Sequence, residues 1–169
     1  VVVLAGLLWG SRGQGKVVAA DAGGFEVGDT IAIAAPPAAV WALLLKPSVW
    51  WNPQHTWSGD AGRLSLDARA GGCFCESLPS GGSVQHLTVV FVEPGRMLRL
   101  RGALGPLQDE AVDGPFDFGL KGDGLGTTLS WSYRVGGLLR GGGQKWAPLV
   151  DGVLGEQTAR LKAAAEKAR

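Results

Sequence analysis

The sequence predicts an α+β protein in which a curved antiparallel sheet of about seven strands wraps around one long carboxy-terminal helix. Three observations support this. From residue 62 to 137, apolar and polar residues alternate in short runs separated by turn residues, the pattern of hairpin-linked strands with one wet face. From roughly Pro148 to Lys167 the period changes to 3.6, with Leu149, Val150, Val153, Leu154, Gln157 and Leu161 on one face. Nothing after the first strand repeats the strand–helix alternation that a parallel sheet needs.

The elements follow in order. "GFEVGDTIAIAA" opens the fold as a strand, with Ile31 and Ile33 alternating against small or polar residues. "PPAAVWALLLKP" is a short helix that starts at its prolines, carries Val40, Trp41, Leu44 and Leu45 as a stripe, and stops at Pro47. One further helical turn is expected at Ser48 to Trp51, inside the tryptophan-rich loop "SVWWNPQHTWSGD". The strands "GRLSLDA", "GCFCESL", "SVQHLTVVFVEPG", "RMLRLRGAL", "GPFDFGLKG" and "TTLSWSYRVGG" complete the sheet, and Glu93-Pro94-Gly95-Arg96 is a tight turn. Gly141 to Gly143 reads as a floppy joint before the last helix. Gly152 and Gly155 weaken that helix unless something approaches closely there. One helix cannot fill a sheet of this size near its ends, so an internal cavity is expected.

Composition narrows the function. With 169 residues, 46% of them hydrophobic and 18% charged, the chain fits one globular domain. Its 16 basic and 15 acidic residues are scattered, which argues against a nucleic-acid partner. The apolar run "VVVLAGLLW" is too short for a membrane span of ~20 residues but suits the core of an export signal that has lost its basic start. A periplasmic or secreted location is therefore expected, with the cytoplasm as the alternative, and residues 1–22 are read as a segment preceding a domain at 23–169. "GSRGQGKV" matches the phosphate-loop spacing by chance, since Val17 stands where a magnesium-binding Ser or Thr belongs. Cys73 and Cys75 would lie roughly 7 Å apart on one strand face, too far to bond in regular strand geometry. They are read as small buried apolar residues, and no metal or cofactor is expected.

The phrases "IAAPPAAVWALLLKPSVWW", "AGGCFCE", "VVFVEPGRMLRL" and "TTLSWSYRV", in that order and spacing, resemble the START-like (SRPBCC) superfamily, whose architecture is the helix-grip fold. The similarity covers about residues 24 to 168. It is greatest to the bacterial branch that holds polyketide cyclases/dehydratases and homologues of a heat-shock chaperone ATPase activator. The resemblance implies a hydrophobic tunnel between sheet and helix for lipids, sterols, aromatics or polyketides. It carries no shared catalytic motif.

The residues themselves indicate what would line such a cavity. Leu98, Leu100, Phe116, Phe118, Trp131 and Tyr133 should face Trp146, Val150, Val153 and Leu154 on the helix, and Phe74 and Trp41 are core or wall. Trp50, Trp51 and Trp57, with His55 among them, are placed as a roof over the entrance or a seal of the core rim. Glu76, His86 and Tyr133 are the polar candidates. Glu76 is inside only if Phe74 is, and reads first as an exposed strand glutamate. His86 competes with Leu87, Val89 and Phe91 for the inner face, and losing leaves it in water. The Tyr133 hydroxyl could orient a ligand carbonyl. The leading expectation is a non-enzymatic binding or carrier domain for a hydrophobic small molecule. The alternatives are a cyclase/dehydratase-type enzyme using Glu76, His86 and Tyr133 for proton transfer, and a chaperone-activator-like interaction module.

Overall fold

The computed structural model describes residues 16–168. The apolar segment 1–9 and most of the phosphate-loop-like stretch lie outside the described residues, as does the export-signal reading. Among the described residues, nine strands form one antiparallel sheet: β1 (Lys16–Asp21), β2 (Gly24–Ile33), β3 (Leu64–Leu66), β4 (Cys73–Ser77), β5 (Ser83–Glu93), β6 (Met97–Arg101), β7 (Ala111–Asp113), β8 (Pro115–Gly122) and β9 (Thr127–Leu138). The order across the sheet is β1-β2-β9-β8-β6-β5-β4-β3, with β7 pairing β9 beside β8. Two strands exceed the sequence expectation. β1 pairs with β2 but is exposed along almost its whole length, so it has no alternation to read. The expected boundary at residue 22 therefore falls inside a hairpin. β7 has only three residues.

Helices α1 (Pro37–Leu44) and α2 (Pro47–Trp50) follow β2, and α3 (Gly142–Lys167) closes the chain. α3 lies against β1, β2, α1 and α2, burying Ala147, Leu154, Leu161 and Ala165. It begins earlier than expected, with Pro148 inside rather than at its start. The glycines before it are no floppy joint. Gly141 caps the helix in the left-handed region at φ 87°, and Gly143 packs so closely that a Cβ there would meet the Gly24 carbonyl oxygen.

Strand β5 contains two bulges. Phe74 pairs with Leu87 but Cys75 with Gln85, so His86 is an extra residue; Val89 pairs with Leu100 but Phe91 with Arg99, so Val90 is another. Each bulge advances the inner face by three residues instead of two. The competition expected for the inner face is settled in an unforeseen way: Leu87, Val89 and His86 are all buried, while Phe91 is turned out and 46% exposed. β4 carries Phe74 and Glu76 on the inner face, both buried, so the reading of Glu76 as an exposed strand residue is corrected.

The cysteine reading is also corrected. Cys73 and Cys75 form a disulfide, with their Cα atoms 5.4 Å apart rather than the 7 Å of a regular strand. The strand is contracted opposite the first bulge, which brings the pair into the range a disulfide spans. Unreduced, denatured protein is therefore expected to show no titratable thiol, and a thiol assay with and without reductant checks this. Two of the four glycines in α3, Gly152 and Gly143, give opposite expectations. A Cβ at Gly152 meets open space, so Gly152→Ala should stabilise by up to about 1 kcal/mol. Gly143→Ala should lower the melting temperature, because its Cβ would collide with backbone.

Candidate functional site

A cavity of about 340 Å³ lies between α3, the loop after α2, strands β3 to β5 and the segment 104–107. Of its lining residues, Trp57 and Leu149 are the large apolar ones that also reach solvent, 53% and 58% exposed. Of the residues expected around a cavity, Trp51, His55, Trp57, Phe74, Trp146, Val150 and Leu154 line it. Trp50, Leu98, Leu100 and Phe118 instead surround a much smaller gap of about 20 Å³ on the far side of Trp51 and Phe74. Trp41 is half-buried on α1, and Trp131 is buried edge-on against Phe116; neither reaches the cavity.

The loop of tryptophans is a roof fastened on both sides. Trp51 packs on Phe74 with ring centroids 5.5 Å apart, and its indole N–H donates to the His55 carbonyl at 2.9 Å. Helix α3 holds one side. Gln157 Oε1 accepts from the Asn52 N–H at 2.7 Å, Glu156 accepts from the Asn52 side-chain amide at 2.6 Å, and Arg160 Nε donates to the Trp50 carbonyl at 2.8 Å. His55 Nε2 lies 3.2 Å from Glu156. Glu76 holds the other side: its carboxylate accepts from the Trp57 N–H at 3.1 Å and the Ser58 N–H at 2.5 Å.

Glu76 also meets His86, whose Nε2 lies 3.0 Å from Oε2, and the imidazole packs on Phe74 at 5.2 Å. Glu76 is 1% exposed and His86 6%. Burial alone would raise the Glu76 pKa, but donation from Ser58, Trp57 and His86 outweighs it and holds the group below its ordinary 4.5. It is thus an ionised acceptor, and the His86 proton sits on Nε2. Burial also dominates at His86 and lowers its pKa below the ordinary 6.5 in spite of Glu76. The ring is neutral at pH 7, Nδ1 bears a lone pair, and that atom has no partner among the described residues.

Tyr133 stands apart. Its hydroxyl donates to the Gly102 carbonyl at 2.8 Å and accepts from the Leu104 N–H at 3.0 Å, and burial pushes its pKa up. It braces the start of the 104–107 wall and is not part of the lining. That wall, with Leu104 and Leu107, is the portion sequence reasoning missed. It is a 3-10 turn too short to show a period, and two leucines among Gly and Pro were its only signal. Among the described residues, no group of three or more His, Cys, Asp or Glu could hold a metal, and no helix is long and apolar enough to cross a membrane.

A curved antiparallel sheet closed by a long carboxy-terminal helix, with an apolar cavity beside that helix, defines a helix-grip protein of the START-like class. The chain belongs to the polyketide cyclase / dehydrase and lipid transport family, whose model matches residues 25–166. Solved structures share the fold at low identity. Protein MLL2253 from Mesorhizobium loti is 20% identical with a TM-score of 0.62, over 85% of this chain and 98% of that one. The Aha1 dimer from Colwellia psychrerythraea is 16% identical with a TM-score of 0.57, over 83% and 96%. DynU16, a protein of the dynemicin biosynthetic locus, is 18% identical with a TM-score of 0.57, over 85% and 48%. No curated protein matches the sequence significantly.

Glu76 and His86 both bind protons more weakly folded than unfolded, so both stabilise the protein above their unfolded pKa values and lose that effect on acidification. Melting temperature should start to fall below about pH 6.5 as unfolded His86 gains its proton, and fall further below about pH 4.5 through Glu76. Glu76→Gln should cost roughly 1–3 kcal/mol at neutral pH and flatten the lower limb of a melting-temperature profile; His86→Phe should flatten the upper one.

Proposed function

We propose that this protein binds a hydrophobic small molecule, lipid, aromatic or polyketide-like, in the cavity between α3 and the sheet. The observation that carries this reading is an apolar, ligand-sized cavity with a tethered tryptophan roof and a buried polar group in its wall. Family membership supports it. The buried Glu76–His86 pair favours a second reading, proton transfer on the bound molecule of the cyclase/dehydratase kind, because an ionised carboxylate fixes a neutral imidazole that can take up a proton. Tyr133 drops out of that scheme because both roles of its hydroxyl are filled by backbone. On the outer face, Arg99 and Arg134 turn onto Asp117, which leaves little unpaired charge there for a chaperone-activator role. The Cys73–Cys75 disulfide supports an oxidising, exported setting.

Native mass spectrometry of gently purified protein tests the reading. A discrete hydrophobic mass is expected to co-purify and to be lost in Trp51→Ala. Recovery of added ligand in altered form would move the enzymatic reading ahead. A clean unliganded mass, unshifted by fatty acids, sterols and aromatics, would sink both.

A further inference from the structure

The cavity wall is apolar except at a few points, and nearly all of those are engaged. The Trp51 indole N–H is held by the His55 carbonyl, the Trp146 indole N–H by the Arg140 carbonyl, and the Thr56 hydroxyl by the Pro53 carbonyl. Gln54, His55 and Trp57 sit at the exposed rim. His86 differs on every count. It is in the wall, 94% buried by its 6% exposure, and one ring nitrogen has no partner among the described residues. A buried acceptor left unmatched is destabilising, and native proteins seldom tolerate one without a use.

The state of that nitrogen follows from its neighbour. Glu76 already accepts from two backbone N–H groups and is acceptor-only when ionised, so the only contact it can make with His86 is to a protonated Nε2. In the neutral ring this leaves Nδ1 as a pure acceptor. The tautomer is set by the β4 carboxylate, and the ring plane by packing on Phe74.

Resting on the ligand-cavity reading, we propose that His86 Nδ1 is the specificity-determining contact of the cavity: it selects an apolar ligand that carries one hydroxyl donor, an alcohol or a phenol, over the same skeleton lacking it. Nδ1 itself is covered, so the ring or its neighbours give slightly for the ligand O–H to donate to it, while the Nε2–H donates to Glu76. A methyl ether of the same shape has no proton to give and leaves Nδ1 unmatched in an apolar wall.

The probes are naphthalene, 2-naphthol and 2-methoxynaphthalene, titrated into the intact protein and followed by calorimetry. For the native protein, 2-naphthol should bind roughly tenfold more tightly than its methyl ether. In His86→Phe, with folding confirmed by near-UV circular dichroism, that preference should vanish while naphthalene still binds. A measurement on the native protein stands beside the variant: nitrogen-15 NMR of labelled histidine should show the Nε2–H tautomer at His86, with the Nδ1 resonance moving on addition of 2-naphthol and not of the ether. Equal affinity for 2-naphthol and the ether, or a proton already on Nδ1, overturns this inference and leaves the cavity reading standing. Failure of all three probes, with no co-purifying ligand, overturns the cavity reading itself.

Discussion

Three parts of the molecule meet at one carboxylate. Glu76 projects from β4 into the interior and accepts from the roof loop at Trp57 and Ser58 and from the β5 bulge at His86. An ionised carboxylate loses several kcal/mol on leaving water and is stable inside only when its lone pairs are matched. The two backbone donors can match it only if the loop turns back over β4, and the imidazole only if β5 bulges. The position of the loop, the tautomer of His86 and the height of the roof are therefore conditions of one buried charge.

The other fastening has a different character. Gln157, Glu156 and Arg160 reach from α3 to Asn52 and the Trp50 carbonyl through polar side chains. Glu156 and the His55 it faces are partly in water, where such contacts are weak. On the helix side the buried Gln157 is the firm point and the Glu156–His55 contact the light one. Trp57 on the loop and Leu149 on the helix are the exposed members of the lining on the two sides.

The element order was readable because the sheet is wet on one face. β6, β8 and β9 alternate cleanly, and each alternation is a stripe of buried Leu, Phe, Trp or Tyr. β1 was invisible because almost none of it is buried, and β7 because three residues carry no period. The site was legible only in outline. The roof tryptophans announced themselves by composition, and Trp51 and Trp57 do line the cavity. Glu76 follows Phe74 by plain alternation along β4, but which face of β4 is inside is not marked locally; the burial of His86 depended on a bulge, a one-residue shift set by pairing with another strand that no local pattern records. Opposite the same shift, Cys73 and Cys75 stand closer than an ideal strand places them and are joined. Tyr133 sits on the inner stripe as its period requires, but periodicity does not say what its hydroxyl touches.

The first bulge of β5 also bears on how this fold can diversify. Leu87 keeps its pairing with Phe74, and Gln85 its pairing with Cys75, while His86 stands between them as a supernumerary residue. The cavity gained a polar side chain by addition, with no core position given up for it. Exchange of that one residue leaves the flanking ladder intact but removes one of the donors that match the buried Glu76 carboxylate, so wall chemistry there can change only together with that charge. In such a scaffold the ligand preference set at the bulge and the charge buried beneath it change as one unit.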